Sequence, residues 1–504
     1  MKRQNIILRL TVCMLLVLGV SCSEEFLEVE PKGTPLEDNY YKNEDQAYSG
    51  LVAVYDVIGK FSRGFENMVT FFNAGSDDFF AAGGGATDGA GIHAFDDYSI
   101  DQTTIPGSYW NDYYAGIFRA NVLLQKLPDV PMDDDVKARF IAETKALRGY
   151  YYFELVRMFG NIPLILEPIP TADIYNVLQA TPSEVYQQIE ADLTEALPGL
   201  PMQITNLADE AARFSQGAVK ALLGKVYLYQ GKNSEAATQL ADVNGTPGEM
   251  SAYGYKLLDN YSDLWVVSNK YNSESIIEIA HTDKSNADWG WWGAGNDEGN
   301  TVNIMVGPRG YSRPDGSSAP DYVSGWSFNT VTQNLYDTMK GDPRFDATIL
   351  DMKALKAAGL ADWAPNYQDT GYFLKKFMPL NSDTSTGGGA TALNYKQNMY
   401  ALRLADSYLM EAEALGGTGA RAQALLDAVR ARVSLPSTPV SLQAIAKERR
   451  IELAGEGHRW FDLVRTGNAA NVLGDRGFTA GKNEILPIPL RELENTAIVQ
   501  NPNY

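Results

Sequence analysis

The stretch Leu223-Gly224-Lys225-Val226-Tyr227-Leu228-Tyr229-Gln230-Gly231-Lys232-Asn233-Ser234-Glu235-Ala236 limits what this chain can fold into more than any other. It reads as a helix, a turn at Gly231 and a second helix. Gly224 and Ala236 are small enough to let the two helices approach closely, and Tyr227 is expected to fill the groove beside them. A hairpin of this kind cannot bury its apolar face alone, so further helices must stack on it. A second pair lies far along the chain. Leu402, Ala405, Leu409 and Ala412 mark one face, Gly416-Gly417-Thr418-Gly419 makes the turn, and Ala422, Leu425, Val429 and Val433 mark the next helix. The two pairs are expected to join one superhelix.

The early part of the chain repeats the theme. Ala47, Leu51, Val54, Tyr55 and Ile58 recur at helical spacing between Asp45 and Ile58, and a second amphipathic stretch runs from Trp110 to Leu127. A third follows Asp133-Asp134-Asp135, whose charge suits a helix N-terminus, and stops at Gly160 before Pro163. The Leu-Gly-x-x-Tyr spacing resembles a tetratricopeptide repeat, which makes the expected fold mainly α, a tetratricopeptide-like helical repeat superhelix. Residues 45–242 form its N-terminal part and residues 396–504 its C-terminal part.

Between them, residues 243–395 lose helical periodicity. Ser275-Ile276-Ile277-Glu278-Ile279 reads as a strand, and the remainder is rich in Gly, Asn, Asp, Trp and Tyr. Asn73 to Thr104 has the same character. Long irregular segments inside a compact chain are usually functional or disordered, and their aromatic content favours function. The fold is therefore expected to carry an irregular, loop-rich ligand-binding subdomain.

The N-terminus sets the compartment. Met1-Lys2-Arg3 precedes a short apolar core that ends in Gly19-Val20-Ser21-Cys22, the form of a secretory signal over residues 1–21. The junction Ser21-Cys22-Ser23-Glu24-Glu25 resembles a lipoprotein signal with acylation at Cys22, followed by a tether over 22–44. Glu24 and Glu25, directly after the cysteine, resemble a surface-export signal, so a lipid-anchored, cell-surface position on the outer membrane is expected. Cys13 lies within the signal and Cys22 would carry lipid, so no cysteine is left for a disulfide and stability rests on the core. The formal charge of −21 becomes more negative once Lys2, Arg3 and Arg9 are removed, which disfavours nucleic acid as a partner.

Near the C-terminus, Glu448-Arg449-Arg450-Ile451-Glu452 and Arg459-Trp460-Phe461-Asp462-Leu463-Val464-Arg465 read as two short helices broken at Gly455 and Gly457. Their carboxylates and arginines fit either acid/base chemistry or buried ion pairs that fix helix docking, and the second reading is retained. With Arg148-Gly149-Tyr150-Tyr151-Tyr152-Phe153-Glu154-Leu155-Val156-Arg157-Met158-Phe159-Gly160-Asn161, Arg403, Ala405-Asp406, Leu486-Pro487-Ile488-Pro489 and Gln500-Asn501-Pro502, the order resembles the SusD/RagB family. The resemblance implies a lipoprotein that captures oligosaccharide, or peptide in some members, and acts as a lid on a TonB-dependent (SusC-like) outer-membrane transporter. The shared motifs belong to the scaffold and assign no ligand contacts.

Candidate chemistry is sparse. His93, His281 and His458 form no zinc pattern, there is no Gly-x-Ser-x-Gly elbow, and Gly83-Gly84-Gly85, Gly387-Gly388-Gly389 and Gly293-Ala294-Gly295 lack phosphate-loop and dinucleotide context. No cofactor or metal is expected, and Asp77-Asp78 and Asp96-Asp97 read as solvated turns rather than a calcium loop. A glycoside hydrolase needs only two carboxylates, and a pure protein-binding repeat scaffold needs no site at all. Binding is favoured by aromatics that the repeats do not use. Sugar rings offer flat C–H faces edged by hydroxyls, and Trp289, Trp291, Trp292, Asn296, Asp297, Tyr311 and Trp326 supply planes and polar edges for them, with Asp78 and Phe80 placed across a groove. Trp110 and Trp460 are expected in the core; Trp265 and Trp363 are unassigned.

Overall fold

A computed structural model describes residues 40–289 and 298–504. The expected signal, Cys22, nearly all of the tether, and Trp291, Trp292, Asn296 and Asp297 lie outside the described residues. The principal helices are α1 (Glu44–Tyr55), α2 (Ser108–Lys126), α3 (Asp134–Phe159), α4 (Pro182–Ala196), α5 (Gln216–Tyr229), α6 (Asn233–Asn244), α7 (Leu404–Ala414), α8 (Gly419–Arg432), α9 (Leu442–Glu452) and α10 (Arg459–Arg465). Local chemistry sets their ends. Asp133 caps α3 by accepting from the N–H of Asp135 at 2.9 Å, and Gly160 ends it with φ +71°. Thr181 and Glu184 form a capping box on α4, with Pro182 in its first turn.

Packing runs in sequence from α1 through α6, and α6 then docks on α7, which carries α8 and α9. The two hairpins far apart in the chain thus join one superhelix. Asn244 seals the junction, donating to the Glu411 carboxylate at 2.8 Å and accepting from Ser407 Oγ at 2.6 Å. The small-residue logic holds at α5 and α6, where a Cβ built on Gly224 would lie 2.5 Å from Leu240 Cγ. Gly224→Val is therefore expected to cost about 1–3 kcal/mol by overpacking, read as a lowered chemical-denaturation midpoint. The tyrosine between repeats is not the expected one. Tyr227 is half-buried with Lys232 above its ring at 5.7 Å, while Tyr229 meets Phe153 of α3 edge-on at 5.0 Å.

Among the described residues three two-stranded antiparallel sheets accompany the helices: β1 (Ile162–Pro163) with β2 (Gln179–Ala180), β3 (Ser275–Ile279) with β6 (Met399–Arg403), and β4 (Ile349–Asp351) with β5 (Tyr372–Leu374). Leu402, assigned above to the face of α7, belongs instead to β6, where it pairs with Ile277. A leucine two residues before a helix satisfies both periodicities, and only the β3 partner decides between them. One apolar cluster extends from Ala47 to Ile488, so helices and irregular segments share a core.

The charged run near the C-terminus is built into that core. Glu452 receives Arg344 at 2.9 Å and Arg403 at 2.6 Å and also pairs with Arg432. Arg403 further reaches Glu274 at 2.8 Å and Glu456 at 2.9 Å, and Lys376 meets Glu456 at 2.8 Å. Burial alone would raise the Glu452 carboxyl, but Arg432, Arg403 and Arg344 outweigh it and hold it well below the usual carboxylate range. Glu448 pairs with Arg344 and Arg430, both at 2.7 Å, and Arg449 spans Asp406 at 2.6 Å and Asp462 at 3.0 Å. Arg459 pairs with Asp77 at 2.8 Å. The four residues expected to form structural ion pairs do so, although only Arg449 and Asp462 find each other.

Candidate functional site

A cleft of about 950 Å³ opens where α2, the turn after α1, and the irregular segments meet. Helix α2 buries Tyr109, Trp110, Tyr113 and Ile117 in the core and turns Asp112, Ala115 and Arg119 toward the cleft. The tight turn Asp56–Phe61 adds Asp56 and Lys60, followed by Arg63, Phe65 and Glu66. From the irregular segments come Asp88, Gly89, Trp289, Arg309, Trp326 and Phe328.

The early loop is laid against the later one by backbone pairing, with bridges between Phe79 and Val331 and between Ala82 and Phe328. Two glycines make the approach possible. Gly83 (φ +90°) and Gly89 (φ +75°) would drive a Cβ to 2.6 Å from the Phe328 ring and 2.5 Å from the Phe65 ring. Gly83 and Gly89 thus serve close packing over an aromatic floor, in which Phe65 and Phe328 meet edge-on at 5.3 Å.

Two of the expected tryptophans come together here. Trp289 and Trp326 lie 5.9 Å apart with ring planes inclined by 32°, and Trp289 is 52% exposed. Polar groups surround them. Arg309 pairs with Asp88 at 3.4 Å and donates to the Trp326 carbonyl at 3.1 Å, and Asp88 accepts from the N–H of Gly84 at 2.7 Å. Arg63 and Arg119 share Asp56 at 2.8 and 3.1 Å, and Arg63 also reaches Glu298 at 3.1 Å. On the α2 wall Lys60 donates to Ser108 at 2.6 Å and lies 3.5 Å from Asp112, while Ser108 donates to Glu66 at 2.5 Å. Burial pulls the Lys60 ammonium below its usual range, opposed by Asp112 and Glu66. The result is an apolar plane beside alternating donors and acceptors, the combination a sugar ring requires.

The other expected contacts fall elsewhere. Asp78 is fully buried and held by Arg450 at 2.6 Å, with Arg450 also 3.1 Å from Asp77. Asp96 is buried beside Arg476 and accepts from Gln368 at 2.8 Å. The aspartate doublets are therefore not solvated turns, save for exposed Asp97, because arginines far along the chain supply their counter-charges. Phe80 packs under Arg476 at 5.1 Å, outside the cleft. Tyr311 is buried against Tyr322 and donates to the Pro320 carbonyl at 2.6 Å. The early loop does face the tryptophans, but through Asp88 and Gly89. Trp110 and Trp460 are core as expected; Trp265 stands edge-on to Phe377 at 5.5 Å and lines a second groove, and Trp363 donates to Asp369 at 2.8 Å. Asp112 and Arg119 carried no local signal, since charged positions on an amphipathic helix look alike until its neighbours are known, and Lys60, Phe65, Glu66 and Arg309 lie in turns and loops whose cleft partners are distant in sequence. Among the described residues no group of three His, Cys, Asp or Glu is arranged to hold a metal ion.

Sequence and structure comparisons converge on one family. The SusD family model matches residues 273–504, and a model described as starch-binding associating with outer membrane matches residues 25–228. SusD-like protein P25 of Formosa agariphila is 26% identical, over 98% of this chain and 97% of its own. A solved laminarin-binding SusD-like protein is 65% identical with a TM-score of 0.90, covering 92% of this chain and 100% of that one. Surface glycan-binding protein A from Bacteroides thetaiotaomicron, solved with laminarihexaose, is 25% identical with a TM-score of 0.80, covering 91% of this chain and 99% of that one. The superhelix, the ordered motifs and these matches together place the chain in the SusD/RagB family.

Proposed function

We propose that this protein is a cell-surface lipoprotein that captures a laminarin-type oligosaccharide in the Trp289–Trp326 cleft and delivers it to a TonB-dependent outer-membrane transporter. The observation that carries the reading is the tilted tryptophan pair beside the Asp88–Arg309 edge. The indole planes accept the C–H faces of glucose rings, and the ion pairs around them offer both donors and acceptors to hydroxyls. The similarity to proteins named for laminarin and solved with laminarihexaose supports that glycan over a peptide.

Capture without cleavage is part of this reading, and each carboxylate that lines the cleft is engaged by a neighbour. Asp56 is tied to Arg63 and Arg119, Asp88 to Arg309, and Asp112 to Lys60, while Glu66 accepts from Ser108. Calorimetry with laminarihexaose, a malto-oligosaccharide of equal length and a mixed oligopeptide tests the reading. Saturable binding of laminarihexaose with no change in its length is expected, and binding of the peptide alone would overturn it.

Anchoring at Cys22 is part of the same proposal. Several acyl chains on one residue, at roughly 0.8 kcal/mol per buried methylene, would hold the chain at the membrane. Among the described residues no helix is long and apolar enough to cross one. Cys22→Ala is expected to leave the protein uncleaved or mislocalised and to abolish its digestion by protease added to intact cells. Digestion equal to wild type would refute lipidation at this residue.

A further inference from the structure

The β1–β2 hairpin carries an apolar surface that the protein's own core leaves uncovered. Leu166 is 41% exposed, Ile174 50%, Tyr175 57% and Leu178 72%, and Val499 beside them is 71% exposed. The C-terminal segment is stitched to the hairpin, with the Ala497 N–H donating to the Tyr175 carbonyl at 2.9 Å and the Val499 N–H to the Gln179 side chain at 2.8 Å. Helix α2 extends the surface. Tyr114 donates to the Pro163 carbonyl and Asn121 to the Ile165 carbonyl, both at 2.8 Å, and Phe118 between them is 53% exposed. A cluster of large apolar side chains of this kind on a folded protein marks an interaction site.

Its position and charge indicate what covers it. Asp112, Ala115 and Arg119 of α2 face the cleft, while Tyr114, Phe118 and Asn121 form the neighbouring stripe beside the hairpin. A body seated on the patch therefore also borders the cleft. Residues 160–181 and 494–504 contain Glu167, Asp173 and Glu494 and no lysine, arginine or histidine, and with Asp112, Arg119 and Lys126 of α2 the balance stays acidic. That is the wrong sign for anionic lipid headgroups, which attract basic segments, and it favours a protein surface.

We infer that the Phe118–Leu178–Val499 patch is the surface by which this chain seats on its TonB-dependent channel. The inference rests on the delivery reading above and names its contact surface. A photo-crosslinking amino acid at position 175 or 178 of the epitope-tagged full chain, expressed in its host, is expected to attach to a protein that mass spectrometry identifies as a TonB-dependent channel. The double variant Tyr175→Asp with Leu178→Asp should lower the co-purified channel by about tenfold or more, the loss typical of central interface residues. Its melting temperature and laminarihexaose affinity should stay at wild-type values, since neither residue lines the cleft. Channel recovery equal to wild type, crosslinks to a second copy of this chain, or co-sedimentation with vesicles of anionic phospholipid that the double variant abolishes would overturn the assignment. If the wild-type chain itself recovers no channel, the delivery reading falls and takes this inference with it; equal recovery by the double variant removes only the patch.

Discussion

Replacing Arg403 with methionine is expected to destabilise the protein by roughly 3–5 kcal/mol. The arginine is 1% exposed and is shared by Glu274, Glu452 and Glu456, which come from the approach to β3, the end of α9 and the turn after it. Removing it leaves buried carboxylates short of their common counter-charge, and that desolvation penalty exceeds anything methionine regains by packing. Against a typical folding free energy of about 5–15 kcal/mol the loss is large enough to lower the yield of folded protein. Lys145→Met gives the contrast. Its partner Glu195 has a side chain 60% exposed, so although they lie 2.6 Å apart the effect should stay within about 1 kcal/mol. Urea denaturation of both variants measures the difference, and equal midpoints would show that the buried network contributes nothing net.

The same core sets the response to acid. Glu452 and Glu456 titrate below their unfolded values, so their contribution is complete above about pH 4.3 and is lost as the pH falls below it. Two histidines act earlier. Burial pushes His281 down to about 3 and His458 down to about 4, so the unfolded chain binds their protons first. Stability should begin to fall as the pH drops through about 6.5 and fall more steeply below about 4.

Trp326→Ala and Trp289→Ala are each expected to weaken laminarihexaose binding by about 2 kcal/mol, roughly thirtyfold in Kd. The figure follows from about 80 Å² of sugar–indole contact at ~25 cal/mol per Å². The losses should not add, because the two rings touch and removal of one frees the other to move. Far-ultraviolet circular dichroism should be unchanged for Trp289→Ala, whose side chain is half exposed. If both variants bind laminarihexaose as wild type does, the cleft between these rings is not the platform. Trp291 and Trp292, also expected in the site, lie outside the described residues, and their alanine variants belong in the same titration.

Sequence alone determined the elements whose causes are local. The α3 boundaries follow from Asp133 and Gly160, the close pair α5–α6 from Gly224, and the breaks between α9 and α10 from Gly455 and Gly457 with φ +82° each. The ion-pair role of Glu448, Arg449, Arg459 and Asp462 was legible for a similar reason: charges interleaved with apolar residues on short helices have little route to solvent. The aromatic lining of the proposed cleft was legible in part, since Trp289 and Trp326 stand out in the sequence and lie together in the fold.

Tertiary structure alone decided which groups share a surface. Asp78 looks like a turn residue until Arg450, 372 positions later, buries its charge, and Tyr311 looks like a platform until Tyr322 and Pro320 enclose it. Lys60, Asp112, Asp88 and Arg309 become one rim only when α2, the turn after α1 and two loops converge. Helix periodicity and capping act over a few residues and leave a trace in order, whereas burial and electrostatic pairing depend on distances in space that sequence separation does not encode.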